Sequence, residues 1–457
     1  MKYVLHRDVL IKFFLSVSVL FFLSFLRVAL IVILPFYVLA FFSLFKLPYS
    51  RRVLAIILFF ILLSTLVSSL YLKEFSNGNF ILSVYILVPA AIFYFSRSSM
   101  EDDSPHGSYF GYFMKMSTFF LLVSNCIGFI QIILNPNTDD AFIGLYGANG
   151  LGAHTLCIVN FLLCSFYYFK YRTAKTWNNI LLGLFFFISG IVCFYGLGLI
   201  IFAASVVVYN ISLRSFVKSL LISFFVLLFL AVGLYLIKPQ TFYYNYNNIK
   251  IVKTYFDEDI DPAFAYKIPR KMLLYKNYYS IYMNDPILFL FGSGPGTFNS
   301  RSSFLLNGEY SKSKLFEKIL GVYHPKYASV GVYPLWNSKN SNSNLTNGTR
   351  NEPFSSIISL LSEYGFIVFA VLLISVYSKM NTLYREFNRY LINCVDTLDK
   401  ERANLLFNYI RLSSIFIFLG LFTENYLEYP EIILFFIIGI KLVELRLNTL
   451  LNVSRKG

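Results

Sequence analysis

FFLSVSVLFFLSFLRVALIVILPFYVLAFFSLF, residues 13–45, holds a single charged side chain, Arg27, near its middle. About 20 residues suffice to cross the hydrocarbon core of a bilayer, so this run is too long for one helix. Arg27 is best explained as a turn at the far membrane surface, between two short helices. The stretch 178–210 reads the same way, with Gly196 and Gly198 marking a tight hairpin whose tip carries no charge. Working outward, apolar runs predict an all-α polytopic membrane protein of about twelve transmembrane helices. The spans fall at roughly 8–26, 28–45, 53–71, 79–96, 112–134, 149–169, 178–194, 196–210, 216–238, 356–378, 405–424 and 428–446. The first run lacks a small-residue cleavage site and leads straight into the second, so it is expected to remain as a helix.

Composition agrees. Hydrophobic residues make up 57% of the chain and charged residues 14%, where a soluble domain carries about a quarter charged. The net charge of +15 raises the question of nucleic acid. Its Lys and Arg lie mostly in short loops between apolar runs, which is a topology signal instead. Anionic lipid head groups are the better partners. Cys126, Cys157, Cys164 and Cys193 lie in apolar runs and Cys394 in an expected cytoplasmic loop, so neither disulfides nor a cysteine metal site are expected.

Charge sets the orientation. Lys2, Arg7 and Lys12 precede the first span, and Lys46, Arg51 and Arg52 follow the second. Lys170, Arg172 and Lys175 follow the sixth; Lys379, Arg385, Arg389, Lys400 and Arg402 follow the tenth. With twelve spans these share one side, and the positive-inside rule makes both termini cytoplasmic. The chain then divides into helices 1–9 over 1–238, a large external loop over 239–355, and helices 10–12 over 356–457. A loop of that length between membrane helices is usually functional. It is rich in Tyr and Asn, and 265–285 reads as an amphipathic helix with Ile268, Met272, Leu273, Tyr279 and Tyr282 on its apolar face. An Asn/Ser-rich run follows at 337–349.

Four local patterns, in order, resemble the O-antigen polymerase and ligase superfamily (Wzy and WaaL proteins). The first is Gly147-Ala148-Asn149-Gly150-Leu151-Gly152, entering the sixth span. The second is Arg270, then Asn284-Asp285-Pro286-Ile287 and Gly292-Ser293-Gly294-Pro295-Gly296-Thr297-Phe298. The third is 350–365, ending Leu361-Ser362-Glu363-Tyr364-Gly365, and the fourth is Glu424-Asn425 to Pro430. Where the ligase branch has a His-Asn pair, this chain reads Phe354-Ser355, which favours the polymerase branch. The resemblance implies a GT-C-like membrane glycosyltransferase, acting without metal or other cofactor. Its partners would be undecaprenyl-diphosphate-linked oligosaccharides, membrane lipids, a chain-length regulator and a flippase. Its product would be O-antigen, capsule or exopolysaccharide.

A diphosphate leaving group needs cations, and the planar fork of Arg suits phosphate. Arg270, Lys271, Arg301 and Arg350 are the external candidates. A carboxylate would accept the proton of the attacking hydroxyl, with Glu352 first and Glu424 second. Tyr275, His324, Asn149 and His154 complete the expected substrate contacts. Each has a plainer reading. Arg301 and Lys271 read more readily as solvated, the tyrosines as packing, and His154 as a hydrogen bond between helices. The three loop glycines read as a tight turn, with a phosphate-cradling nest the lesser alternative. His154 and Asn160 are expected to face the protein interior. Two other classes stay open. A ligase would leave long chains on the carrier when deleted, and a lipid-linked oligosaccharide flippase would show short external loops.

Overall fold

The computed structural model describes residues 2–45, 51–73, 77–96, 108–135, 141–147, 151–193, 195–211, 270–305, 324–337, 354–394 and 397–456, with isolated positions between 228 and 246. Among them every regular element is a helix. Six helices are long and apolar enough to cross a bilayer: Ala55–Leu72, Asn77–Phe95, Tyr109–Leu134, Gly152–Ala174, Ser356–Ile392 and Thr397–Gly420. Val32–Phe45, Trp177–Val192 and Gly196–Asn210 are shorter apolar helices. The chain is therefore a polytopic membrane protein, all-helical among the described residues. Of the expected spans, 216–238 lies almost wholly outside the described residues, as do most of the external loop and the Asn/Ser run.

The helices before the loop are α1 (Lys2–Phe22), α2 (Arg27–Phe45), α3 (Arg51–Val67), α4 (Asn77–Phe95), α5 (Tyr109–Leu134), α6 (Leu151–Ala174), α7 (Trp177–Val192) and α8 (Gly196–Ile211). Arg27 opens α2 and Gly196 opens α8, at the two breaks expected within long apolar runs. The loop contributes α9 (Arg270–Tyr282), α10 (Pro286–Phe291), α11 (Arg301–Leu305), α12 (Lys326–Gly331) and α13 (Tyr333–Asn337). The chain returns through α14 (Ser356–Ser359), α15 (Gly365–Asn393), α16 (Thr397–Gly420) and α17 (Pro430–Lys456).

Helix α17 is the central post. It packs against α1, α2, α4, α5, α6, α15 and α16, and Ile432, Leu434, Ile438, Leu442 and Val443 are fully shielded. Packed among these helices with most of its residues buried, it carries Glu431, Lys441 and Glu444, each beside a counter-charge. This accounts for its absence among helices defined by apolarity alone.

The two ends of the bundle differ. At the end away from the loop, Lys379 and Lys441 both donate to the carbonyls of Tyr94 and Ser96, where α4 ends. They share Glu444 at 3.0 and 3.1 Å. Cations at a helix C-terminus meet its unsatisfied carbonyls and favourable dipole. At the loop end a second, smaller core joins α9 to α12, α13 and the start of α14, through Leu274, Tyr278, Tyr282, Phe298, Val332 and Phe354. Of the amphipathic helix expected at 265–285, α9 covers Arg270–Tyr282, Ile268 lies outside the described residues, and the buried face keeps Tyr282 but not Tyr279. Leu274, Tyr278 and Tyr282, spaced four apart, are the buried stripe, while Tyr279 is 67% exposed. The aromatic pattern admits both faces; contact with α12 selects this one.

Candidate functional site

Two single-turn π-helices lie at the loop end, Ser68–Leu72 closing α3 and Leu360–Tyr364 joining α14 to α15. π-turns often mark functional positions because they redirect side chains. Here the second turns Glu363 into the protein, where it is fully buried. The Gly-Ser-Gly-Pro-Gly segment folds around it. Gly296 N–H donates to Oε2 at 2.7 Å, and Phe298 N–H and Ser300 N–H donate to Oε1 at 3.1 and 2.9 Å. Ser293 N–H and Gly294 N–H bond the carbonyls of Ser362 and Glu363 at 2.7 and 3.0 Å. Gly292, Gly294 and Gly296 have φ of 77°, 102° and 76°, a region only glycine enters freely. The expected tight turn is present. Its N–H nest is filled by the protein's own carboxyl group.

The connector between α16 and α17, Thr423–Tyr429, forms the floor. Asn425 Nδ2 donates to the Asn299 carbonyl at 2.9 Å, and Ser359 Oγ bonds both Asn299 Oδ1 and Asn425 Oδ1. Ser356 donates through N and Oγ to the Glu424 carbonyl, at 3.1 and 3.0 Å. Glycine loop, connector and α14 are thereby one hydrogen-bonded unit.

Charged side chains gather on it. Lys271, second residue of α9, pairs with fully buried Glu424 and also donates to the Thr423 carbonyl. Tyr195 OH approaches the same carboxyl at 3.4 Å. Arg301 donates its backbone N–H to the Glu428 carboxyl and its Nη1 to the Glu428 carbonyl at 3.1 Å. Its guanidinium stands 4.7 Å above the Tyr429 ring. Arg27, buried, donates to Thr155 at 3.0 Å, pairs with Glu431 at 3.4 Å and lies over the Tyr146 ring. His154 is enclosed by the rings of Tyr195, Tyr426 and Tyr429, at centroid distances of 4.8, 5.4 and 5.7 Å.

Glu428 lies in the connector, outside both flanking helices, and is half-buried. Burial, then repulsion from Glu363, raises its pKa to about 8, against the lowering effect of Arg301. Beneath the connector an apolar groove of about 190 Å³ opens between α3, α4, α15, α16 and α17. Ile357 and Leu427 line its loop end, and Tyr94 and Met380 its far end.

The structure thus brings together Lys271, Arg301, Glu424 and His154 of the sequence candidates. The solvated reading of Lys271 and Arg301 is corrected: Lys271 pairs with the Glu424 carboxylate, and the Arg301 guanidinium bonds the Glu428 carbonyl and lies over the Tyr429 ring. Arg270, half-buried, opens α9 beside Lys271. Tyr275 OH bonds Ser355 Oγ at 3.0 Å and the Phe422 carbonyl, over the end of α16. His324 is exposed, its ring edge-on to Tyr333 at 6.2 Å. His154 meets aromatic rings, and Asn160 faces inward as expected, exchanging amide bonds with Asn125 at 2.8 and 3.1 Å. Asn149, Arg350 and Glu352 lie outside the described residues. Phe354 packs in the small loop core, and Ser355 caps α14 through Ile358 N–H.

Sequence reasoning left out Arg27, Glu431, Glu363 and Glu428. A signal existed for Arg27, since an ionisable residue within a membrane run is a functional-site candidate by default. No family model matches the chain, and no curated protein matches it.

Proposed function

We propose that the chain is a polysaccharide polymerase, joining oligosaccharide repeats carried on undecaprenyl diphosphate at the outer face of a bacterial inner membrane. The observation that carries this reading is a charged, hydrogen-bonded platform set over the mouth of an apolar groove. Leu427 and Ile357 line the groove, and each is one residue from platform members Glu428 and Ser356. Such a layout fits an amphiphile with a long apolar chain and an anionic head. The part of the polyprenyl chain next to the head group lies in the groove, and its diphosphate lies against cations drawn from Arg270, Lys271 and Arg301, with Arg350 of the loop a further candidate. In the transfer, an acceptor sugar oxygen bonds the anomeric carbon while the bond to diphosphate breaks. Preorganised cations stabilise the charge that develops on the leaving group. The same reading holds twelve spans in a GT-C-like arrangement, with both termini cytoplasmic and the loop outside. The residues at the ligase His-Asn positions support the polymerase branch: one is core and the other a helix cap.

Deletion of the gene in its host tests the proposal, with surface polysaccharide resolved by length. A polymerase leaves single repeats on the surface, and the wild-type gene restores the long ladder while Arg270→Ala at matched expression does not. Long chains stranded on the carrier would identify a ligase. Repeats confined to the inner face would identify a flippase.

A further inference from the structure

Four carboxyl groups gather on the platform, and three of them are committed, Glu431 among them through its pairing with buried Arg27. Glu363 is fully buried and accepts three backbone N–H bonds from the glycine loop. Glu424 is fully buried, paired with Lys271 and approached by Tyr195. Glu428 is the partly accessible one, and it stands next to Leu427 at the groove mouth. Its position is fixed from two sides. Arg301 N–H holds one carboxyl oxygen, and Arg301 Nη1 bonds the carbonyl of the same residue. That guanidinium is in turn held on the Tyr429 ring, so a carboxylate and a cation share one anchored corner. A group-transfer site needs both: a proton acceptor for the nucleophile and a positive charge for the leaving group.

Resting on the polymerase reading, we propose that Glu428 is the general base, taking the proton from the acceptor hydroxyl. As that oxygen bonds the anomeric carbon, its proton passes to the Glu428 carboxylate. The carbon–oxygen bond to diphosphate breaks, and the diphosphate departs with the electron pair. Arg301, fixed on the same residue, faces the departing charge. The charged and titratable groups that act on Glu428 are Arg301 from α11 and Glu363 and Tyr364 from the π-turn. With the carboxyl raised to about 8, the base form grows as pH rises through that value, and the rate rises with it before levelling.

The test uses the full-length chain in lipid vesicles, supplied with lipid-linked oligosaccharide extracted from a host strain lacking this gene. Initial rates of chain lengthening are followed from pH 6 to 9.5 for wild type, Glu428→Gln and Glu428→Ala. The expected result is a wild-type rate that climbs with an inflection near 8. Glu428→Gln falls by about 10²- to 10⁴-fold and loses the inflection. Added formate restores part of the rate of Glu428→Ala, which a merely structural role does not allow. Two results overturn the assignment: Glu428→Gln within a few-fold of wild type, or a slow Glu428→Gln that keeps the inflection while Glu428→Ala ignores formate. Failure of wild type to lengthen any chain strikes the polymerase reading itself, a separate outcome.

Discussion

Replacing Glu363 by Ala removes the acceptor of three backbone N–H groups at Gly296, Phe298 and Ser300. All three donors lie in a loop whose residues are buried from Gly292 to Ser300. An orphaned buried donor costs about 1–3 kcal/mol, so the three together reach about 3–9 kcal/mol before relaxation. The space left by the carboxyl group admits water, which re-satisfies one or two of them, so about 2–4 kcal/mol remains. At about 1.4 kcal/mol per decade, amide exchange in this loop accelerates by about 30- to 1,000-fold. Glu363→Gln is the graded control. One oxygen is kept for two donors, while the new NH₂ faces the third N–H, so its effect falls between wild type and Ala. Hydrogen–deuterium exchange by mass spectrometry on nanodisc-embedded protein reads this directly in a peptide covering 292–300. Unchanged exchange there in Glu363→Ala would refute the view that this carboxyl group organises the loop.

Other substitutions probe the rest of the platform. Lys271→Ala leaves Glu424 buried without its cation and destabilises by about 3–5 kcal/mol; the double variant Lys271→Met/Glu424→Gln recovers most of that, by thermal unfolding in detergent. Arg27→Met and Glu431→Gln share one buried pair, so their double-mutant cycle shows coupling of about 0.5–3 kcal/mol in the same unfolding assay. Gly365→Ala places a Cβ against Leu290, Phe291 and Gly292 at a φ of 82°, and is expected to abolish monodisperse protein in size-exclusion chromatography. Phe354→His, by contrast, restores only one residue of a ligase motif inside a packed core. It lowers thermal stability and confers no ligation in the surface-polysaccharide assay.

The helices were legible because apolar length is a local property. The break at Arg27 and the glycine turn at 292–296 were legible for the same reason, each being set by a few adjacent residues. Pairings were not. Arg27 meets Glu431 across 404 positions, and Lys271 meets Glu424 across 153, so no window along the chain contains both partners. Lys271 and Arg301 consequently read as solvated, although Lys271 is held by a carboxylate and Arg301 by a carbonyl and an aromatic ring of the connector. The π-turn at 360–364 was equally hidden, since nothing local distinguishes Leu-Leu-Ser-Glu-Tyr from ordinary α-helix, and Glu363 was overlooked with it. Apolar-window reasoning also misjudges α17, whose charges are tolerated because other helices enclose it. Of the resemblance-derived candidates, Glu424 lies in the connector and is fully buried against Lys271. The half-buried carboxyl group of the connector, Glu428, is four residues further on.

Purified full-length protein in vesicles, given only lipid-linked oligosaccharide from the deletion strain, tests the central claim most directly, with products separated by length. A ladder of lipid-linked chains rising by whole repeats, with no other protein present, is the expected product. Substrate recovered as single repeats, with the same chain translocating it between leaflets, would contradict it.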